Sequence, residues 1–189
     1  MRNLDEVFSY AAGEEPWTDG DDDICFIHLP PHLVGNIAKD CVFLDAEKNF
    51  SKPEPDDCSC LIPAYSVFGL VEEFTGATTR QDGMATTLLK GVLTSGVLRD
   101  ADALTATLEC FEQNIPELPG SFGGTSGGGL WRVYVRKRDD ENFEPVHHRL
   151  IGIASREDKG SPPRITCQGM GRVGAMIVMC LPVDLCQVD

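Results

Sequence analysis

Apolar and polar positions alternate in short runs along most of this 189-residue chain. Runs rich in β-branched and aromatic residues are separated by turns that carry Gly, Asp or Pro, the pattern of an all-β barrel or sandwich. The predicted strands are ICFIHLP, CVFLDA, CLIPAYSVFGLV, TTLLKGVLTSGVL, ALTATLECF, LWRVYVRKR, RLIGIAS and PRITCQG. No strand–helix–strand alternation is present, and no repeat with a period of about 20 to 50 residues. The pattern therefore predicts a mainly β fold with few helices.

Three segments do not follow the strand pattern. LDEVFSYAA near the N-terminus is a candidate short helix, and GEEPWTDGDDD after it has the composition of a solvated acidic loop. VGAMIVMCL fits either a strand or a helix, because a short apolar run does not reveal its period. We therefore divide the chain into an acidic N-terminal segment, residues 1–22, and one domain, residues 23–189.

The charge of the chain excludes two classes of partner. The formal net charge is −14 at pH 7, and an acidic surface repels both phosphate backbones and anionic lipid headgroups. We therefore expect no nucleic acid and no membrane as partner. No basic region followed by an apolar core begins the sequence, which predicts no signal peptide. Apolar runs such as AMIVMCLPV are too short to cross a bilayer, so we expect a cytoplasmic protein.

Eight cysteines leave disulfides, a metal site and reduced thiols as alternatives. They are at positions 25, 41, 58, 60, 110, 167, 180 and 186. The pair Cys58 and Cys60 has C-x-C spacing with no matching second pair, unlike a zinc finger. Several others lie in apolar runs, where cysteine behaves as a small hydrophobe. Without an export signal we expect reduced thiols, no metal and no cofactor.

A dense cluster of glycines surrounds a single serine, Ser126, in the segment GSFGGTSGGGLWRVYV. A flexible linker would continue into polar, low-complexity sequence, whereas predicted ordered elements flank these glycines. A P-loop or a hydrolase nucleophile elbow would lead into a helix, and this loop leads into a predicted strand. Acyl transfer requires backbone N–H groups beside a serine hydroxyl, because they stabilise the oxygen that becomes negative. The residues favour such a nucleophile loop over an ordinary turn serine.

Several segments resemble the trypsin-like serine peptidases, in the order in which that family has them. GTSGGGLW resembles the nucleophile loop, most closely that of bacterial, non-secreted members, and RLIGIAS resembles the strand that lines the primary pocket. DDDICFIHL is similar to the strand that carries the catalytic aspartate, and SVFGLV to the segment that opens the second barrel. The resemblance extends from about residue 20 to residue 170. It implies a mainly β, chymotrypsin/trypsin-like barrel, namely the second barrel plus a remnant of the first.

The resemblance also implies roles for particular residues. Ser126 matches the nucleophile, and the backbone amides of Gly124 and Ser126 match the oxyanion hole. Asp23 matches the carboxylate that orients the catalytic histidine. Thr125 stands where secreted trypsins carry an aspartate that captures a newly freed N-terminus, so activation of that kind is not expected. Trp131 and Tyr134 are expected to be packing residues.

The histidines depart from the family pattern. The family's catalytic histidine precedes the aspartate, whereas all four histidines of this sequence follow Asp23, at positions 28, 32, 147 and 148. The first barrel is therefore expected to be largely missing. A serine without a base stays protonated and is a poor nucleophile near pH 7. We expect a serine peptidase relative that is inactive or incomplete as an isolated chain.

Three interpretations of the chain remain open. The chain is either that peptidase relative, completed by a histidine from another segment or chain, or a non-catalytic module that binds a peptide or protein. A truncated reading frame is a third possibility. In each case ICFIHLP and CVFLDA would lack partner strands, and exposed strand edges pair readily with other chains. We therefore expect self-association through uncovered strand edges, or a required partner.

Overall fold

The computed structural model describes five main ranges, residues 60–81, 84–86, 90–111, 119–139 and 142–180. It also describes isolated positions nearer the N-terminus, namely 17–18, 25–26, 29, 34–35, 38, 49 and 55. Within these residues the chain is mainly β, as predicted. The strands are β1 (Trp17–Thr18), β2 (Cys25–Phe26), β3 (Ile62–Leu70), β4 (Thr79–Gln81), β5 (Met84–Thr86), β6 (Gly91–Ala101), β7 (Thr105–Cys110), β8 (Gly129–Lys137), β9 (Phe143–Asp158) and β10 (Arg164–Gly169). A 3-10 turn spans Glu72–Phe74, and helix α1 spans Met170–Cys180.

Six of the described strands form one closed antiparallel barrel in the order β3–β6–β7–β10–β9–β8, with β8 returning to β3. Apart from the short β4–β5 pair, strands β3, β6 and β7 follow one another along the chain, and β8 lies beside β3, which is a Greek-key arrangement. The hairpin of β9 and β10 then closes the ring, because β10 pairs with β7 as well as with β9. The long connection from β7 to β8 carries Ser126. Two short pairs, β1–β2 and β4–β5, are separate from the ring.

The core lies inside the ring and follows the alternation of the strands. Its buried side chains come from five of the six strands and from the β7–β8 connection, because alternate residues of a strand point to one face of the sheet. They are Val67, Ala106, Leu108, Cys110, Phe122, Leu130, Ala154, Ile165 and Cys167. Thr94 and Gly96 of β6 are also buried. Gly96 is needed for close approach, since a Cβ there would lie 2.2 Å from the carbonyl oxygen of Glu109.

Two predicted boundaries are wrong at the β8–β9 turn and at the end of β6. The predicted strands LWRVYVRKR and RLIGIAS leave residues 139–148 between them, but β9 begins at Phe143, which pairs with Lys137. The charged residues extend the hairpin because Arg138 and Glu144 form an ion pair of 2.8 Å. Strand β6 likewise continues beyond its apolar run to Ala101.

The ambiguous segment VGAMIVMCL lies largely in a helix. Helix α1 begins directly after β10, and it contacts β9 and β10. Val173 and Met176 are buried and are spaced three residues apart, which places them on one face of the helix. Gly169 ends β10 and Gly171 lies in the first turn of α1, so both belong to a strand-to-helix junction, where the Gly169 N–H donates to the Leu104 carbonyl at 2.7 Å.

Candidate functional site

The loop around Ser126 consists of two successive tight turns. The N–H of Thr125 donates to the Phe122 carbonyl at 3.1 Å, and the N–H of Gly128 donates to the Thr125 carbonyl at 2.8 Å. The Thr125 hydroxyl also donates to the Phe122 carbonyl, at 2.8 Å. Thr125 is only 4 % exposed, so this bond is shielded from water. Ser126 stands between the two turns and is exposed.

Two glycines with positive φ bracket the serine. Gly124 has φ of 91° and Gly127 has φ of 83°, a region that residues with a Cβ rarely adopt. At Gly124 a Cβ would also lie 2.8 Å from the backbone nitrogen of Glu72. At Gly127 nothing lies within 4 Å of such a Cβ, so the backbone conformation alone requires glycine there. The sequence-based argument that these glycines shape the backbone beside Ser126 agrees with this geometry.

Backbone bonds hold the loop against neighbouring strands. The N–H of Gly127 donates to the Ala154 carbonyl at 2.8 Å, and the N–H of Ala154 donates to the Gly128 carbonyl at 2.7 Å. On the other side, the Glu72 N–H donates to the Gly123 carbonyl at 2.9 Å. The loop is therefore fixed to β9 and to the 3-10 turn after β3.

The backbone also approaches β3 closely under the loop. A Cβ on Gly128 would lie 2.4 Å from the carbonyl oxygen of Phe68, and a Cβ on Gly69 would lie 3.0 Å from Thr125. A side chain at either glycine would push the serine loop away from the ring. The glycine in SVFGLV is thus explained by the contact between Gly69 and Thr125.

From Gly124 to Gly127, backbone N–H groups that donate to described residues of the protein alternate with N–H groups that do not. Those of Thr125 and Gly127 donate within the protein. Those of Gly124 and Ser126 donate to no residue that the structure describes. Two N–H groups on either side of Thr125, next to an exposed hydroxyl, are able to bind one ligand oxygen if they point to the same place. This is the arrangement that stabilises an oxyanion in acyl transfer.

Two carboxylates hold the segment that precedes the serine loop. Glu157 of β9 accepts the Ser121 hydroxyl at 2.7 Å and the Phe122 N–H at 2.9 Å. Glu73 of the 3-10 turn accepts the Gly120 N–H at 2.8 Å and, more distantly, the Ser121 N–H at 3.4 Å. The sequence analysis missed both residues. Each stands in a charged run that, taken alone, indicates a solvated surface.

The described histidines do not lie at the serine. His147 and His148 are on β9, where they pair with Tyr134 and Val133 of β8. The ring of His147 lies 5.9 Å from that of Tyr134, and the ring of His148 lies 6.0 Å from that of Trp131. Gly129, at the serine-loop end of β8, pairs with Ile153, five residues beyond His148. That spacing is about 16 Å along the strand.

Asp23, His28 and His32 lie outside the described residues. Within the described ranges, no three His, Cys, Asp or Glu side chains are grouped so that they could hold a metal ion. In the same part of the chain, no helix has both the length and the apolar character needed to cross a membrane.

One edge of β9 beside the loop has no partner strand among the described residues, although the Glu157 side chain there bonds to Ser121 and Phe122. The pairing of β9 with β8 ends at Ile153 and Gly129, whereas its pairing with β10 continues to Asp158 and Arg164. On the β8 side of residues 155–158, no strand among the described residues pairs with β9. An open edge presents backbone N–H and carbonyl groups to which an extended peptide can add as a further strand.

No protein-family model, curated protein or solved structure matches this chain.

Proposed function

We propose that this chain is a trypsin-like serine peptidase relative that binds a peptide or protein at Ser126 and does not hydrolyse it as an isolated chain. On this proposal the ring is the second barrel of a chymotrypsin/trypsin-like fold. The observation that carries it is the serine loop itself. An exposed Ser126 lies between two positive-φ glycines, and the N–H groups of Gly124 and Ser126 remain available to a ligand.

The order of elements supports the family proposal. The glycine loop leads directly into β8, and β8 pairs with the part of β9 that contains RLIGIAS. The two resembling segments are therefore in contact, since the Gly127 N–H donates to the carbonyl of Ala154. A resemblance found only in scattered, unrelated loops would not produce this contact.

The chemistry of acyl transfer explains why the isolated chain is expected to be inactive. The Ser126 oxygen would bond to the substrate carbonyl carbon while its proton passes to a base, and the carbonyl oxygen would take the negative charge. The bond between the carbonyl carbon and the amine nitrogen would then break as the carbonyl re-forms, and the leaving amine would take the proton from the base. His147 and His148 pair with β8 about 16 Å from the serine-loop end, so neither is placed to act as that base. Oxyanion stabilisation and binding alone leave about 10³–10⁴-fold enhancement over water, which a routine peptidase assay does not detect.

The experiment tests oxyanion stabilisation by the serine loop independently of the missing base. The chain is incubated with a fluorophosphonate probe, with and without added imidazole as an external base. We expect no labelling without imidazole, slow labelling of Ser126 that rises with imidazole concentration, and none in Ser126→Ala. Ser95→Ala, a serine on β6, is the matched control and should label as the wild type does.

Each result bears on a stated part of the proposal. Absence of labelling at every imidazole concentration would show that the loop does not stabilise an oxyanion. Labelling of Ser126 without imidazole would show that a histidine of the chain reaches the serine, and would overturn the claim of inactivity. Casein and peptide esters should remain uncleaved by the isolated chain in parallel assays.

The second candidate is a non-catalytic interaction module, and the open edge of β9 favours it. Residues 155–158 extend beyond the last β8 pair and border the serine loop. An extended peptide could pair there without any chemistry at Ser126. Peptide selection from a display library distinguishes the candidates. A module would bind its peptide with the wild-type affinity in both Ser126→Ala and Gly124→Ala. An oxyanion pocket would lose its affinity for aldehyde or boronate inhibitors in both variants.

A further inference from the structure

Two neighbouring strands of the ring carry large apolar side chains on their outer face. Phe68 and Leu70 of β3 are 51 % and 44 % exposed, and Leu93 and Val97 of β6 are 61 % and 39 % exposed. Phe68 pairs with Leu93 across the two strands, which places their side chains side by side. The Phe68 ring extends over Gly91, where a Cβ would lie 2.6 Å from the ring. We name these four side chains the β3–β6 face.

The same strands are apolar on their inner side. Val67 and Val92 alternate with the exposed residues and are buried in the ring. A strand with one wet face normally alternates apolar and polar residues, whereas a strand covered on both faces is apolar throughout. The segments SVFGLV and GVL follow the second pattern. Their composition therefore fits a sheet that is covered on its outer side as well.

We propose that residues 24–46 of the same chain cover the β3–β6 face. This stretch contains ICFIHLP and CVFLDA, two apolar runs with strand composition, and the ring is built without either of them, from residues 62–169. Each run needs an apolar surface to contact, just as the face needs a cover. The proposal concerns packing and does not depend on any chemistry at Ser126.

The tether between the two parts is long enough. The chain from Ala46 to Ile62 spans up to about 53 Å when extended. Phe68 lies six residues along β3 from Ile62, which is about 20 Å. A tethered segment also has an effective concentration in the millimolar range. A second copy of the chain would be present only at micromolar concentration, well below this effective concentration. The chain's own segment is therefore the favoured occupant.

The first test is photo-crosslinking in the full chain. p-Benzoylphenylalanine replaces Leu93, and the products are mapped by mass spectrometry in a mixture of isotopically light and heavy protein. We expect crosslinks within one chain to residues 24–46. Crosslinks between light and heavy chains would identify a second copy as the occupant and overturn the proposal. Crosslinks to another segment, or none at all, would also overturn it.

The second test is limited proteolysis of two matched variants. Leu93→Asp places a charge on the face, and Leu104→Asp places one on a leucine of similar exposure, 55 %, in the β6–β7 turn. We expect cleavage within residues 24–46 to become several-fold faster in Leu93→Asp and to stay at the wild-type rate in Leu104→Asp. Far-UV circular dichroism verifies that both rings are folded. Equal cleavage rates in the two variants would contradict the proposal.

Discussion

At the scale of single residues, the serine loop depends on backbone conformations that side chains oppose. Gly124 and Gly127 both have positive φ, and the loop bonds to Ala154 and to Glu72 exist only if those conformations are kept. The two glycines differ in their surroundings, because a Cβ on Gly124 would clash and one on Gly127 would not. Substitution at the two positions therefore separates conformational strain from steric overlap.

Gly127→Ala is expected to lower the free energy of unfolding by about 1–2 kcal/mol, the cost of a left-handed conformation for an L-residue. Gly124→Ala should cost more, because its Cβ would also lie 2.8 Å from the Glu72 nitrogen. Urea denaturation measures both. Gly174→Ala in helix α1 is the control, since its Cβ would meet nothing within 4 Å and the change should stabilise by about 0.5–1 kcal/mol. A neutral Gly127→Ala would contradict the positive φ.

Two buried thiols are expected to be unreactive in the folded chain. Burial raises the pKa of Cys110 to about 11 and that of Cys167 to about 12. The thiolate is the reactive form, so at pH 8 both should resist alkylation by iodoacetamide until the chain is unfolded. Cys60 is exposed and should react in the native state. Peptide mapping of native and denatured samples measures this, and rapid native labelling of Cys167 would show that the core opens.

At the scale of elements, one carboxylate joins three neighbouring strands of the ring. Glu109 of β7 accepts hydrogen bonds from Arg99 of β6 at 2.7 Å and from Arg164 of β10 at 2.9 Å. These two bonds, that from Arg99 first, lower the pKa of Glu109 below its ordinary value. The contact holds β6 beside β7 beyond its apolar run, across the register shift between Leu98 and Ala101.

This contact predicts a loss of stability in acid. Because the pKa of Glu109 is lowered on folding, its contribution is present above the ordinary glutamate pKa and is lost as the pH falls through the lowered value. Glu109→Gln should therefore lower the thermal midpoint at pH 7 and show a smaller further decrease below pH 4.5. Glu144→Gln is the control, because the Arg138–Glu144 pair joins only one hairpin and should have the smaller effect. Parallel pH profiles for wild type and Glu109→Gln would contradict the assignment.

At the scale of the whole molecule, stability rests on the closed ring and its interior. Leu108 and Leu130 are fully buried, and they come from β7 and β8, which are not neighbours in the ring. Closure brings them into one core. Apolar residues on the outer surface, such as Leu104, do not share in that core.

Leu108→Ala is expected to cost about 2–5 kcal/mol of unfolding free energy, because it removes buried contacts and leaves a cavity. Leu104→Ala should change it by less than about 0.5 kcal/mol. Denaturant titration of both variants measures the difference. A small effect of Leu108→Ala would mean that the ring interior is not packed as described.

The association state in solution tests whether strand edges and the β3–β6 face are covered within one chain. Within the described residues the six-stranded ring is closed except along residues 155–158 of β9, and the strand edges that the sequence predicted to be uncovered are those of ICFIHLP and CVFLDA. Only Cys25, Phe26 and Leu29 of these runs are described. Cys25 and Phe26 pair with Thr18 and Trp17 of β1, so ICFIHLP does have a partner strand there, contrary to expectation. Self-association through these runs stays a prediction. Sedimentation velocity over a range of concentrations separates the cases. A monomer at all concentrations agrees with coverage by residues 24–46, whereas a concentration-dependent dimer agrees with open edges.

Local pattern was sufficient to predict four strands of the ring and the constrained backbone beside Ser126. Strand alternation and turn residues act over a few positions, so β3, β7, β8 and β10 are predictable from their own residues. The glycines around Ser126 indicated a constrained loop for the same reason, because a positive φ is a property of a single residue. The mainly β fold follows from these local preferences.

Only the tertiary structure decided which groups meet. The closing pair of β7 and β10, the contact of Gly127 with Ala154 and the bonds of Glu157 all join residues far apart in the sequence. No local period encodes them, since they depend on how the whole ring closes. The helical state of Met170–Cys180 was decided in the same way, because its short apolar run fits a strand or a helix until packing against β9 and β10 selects one. The N–H groups of Gly124 and Ser126 stay available because the loop's own turns take those of Thr125 and Gly128, while β9 takes that of Gly127.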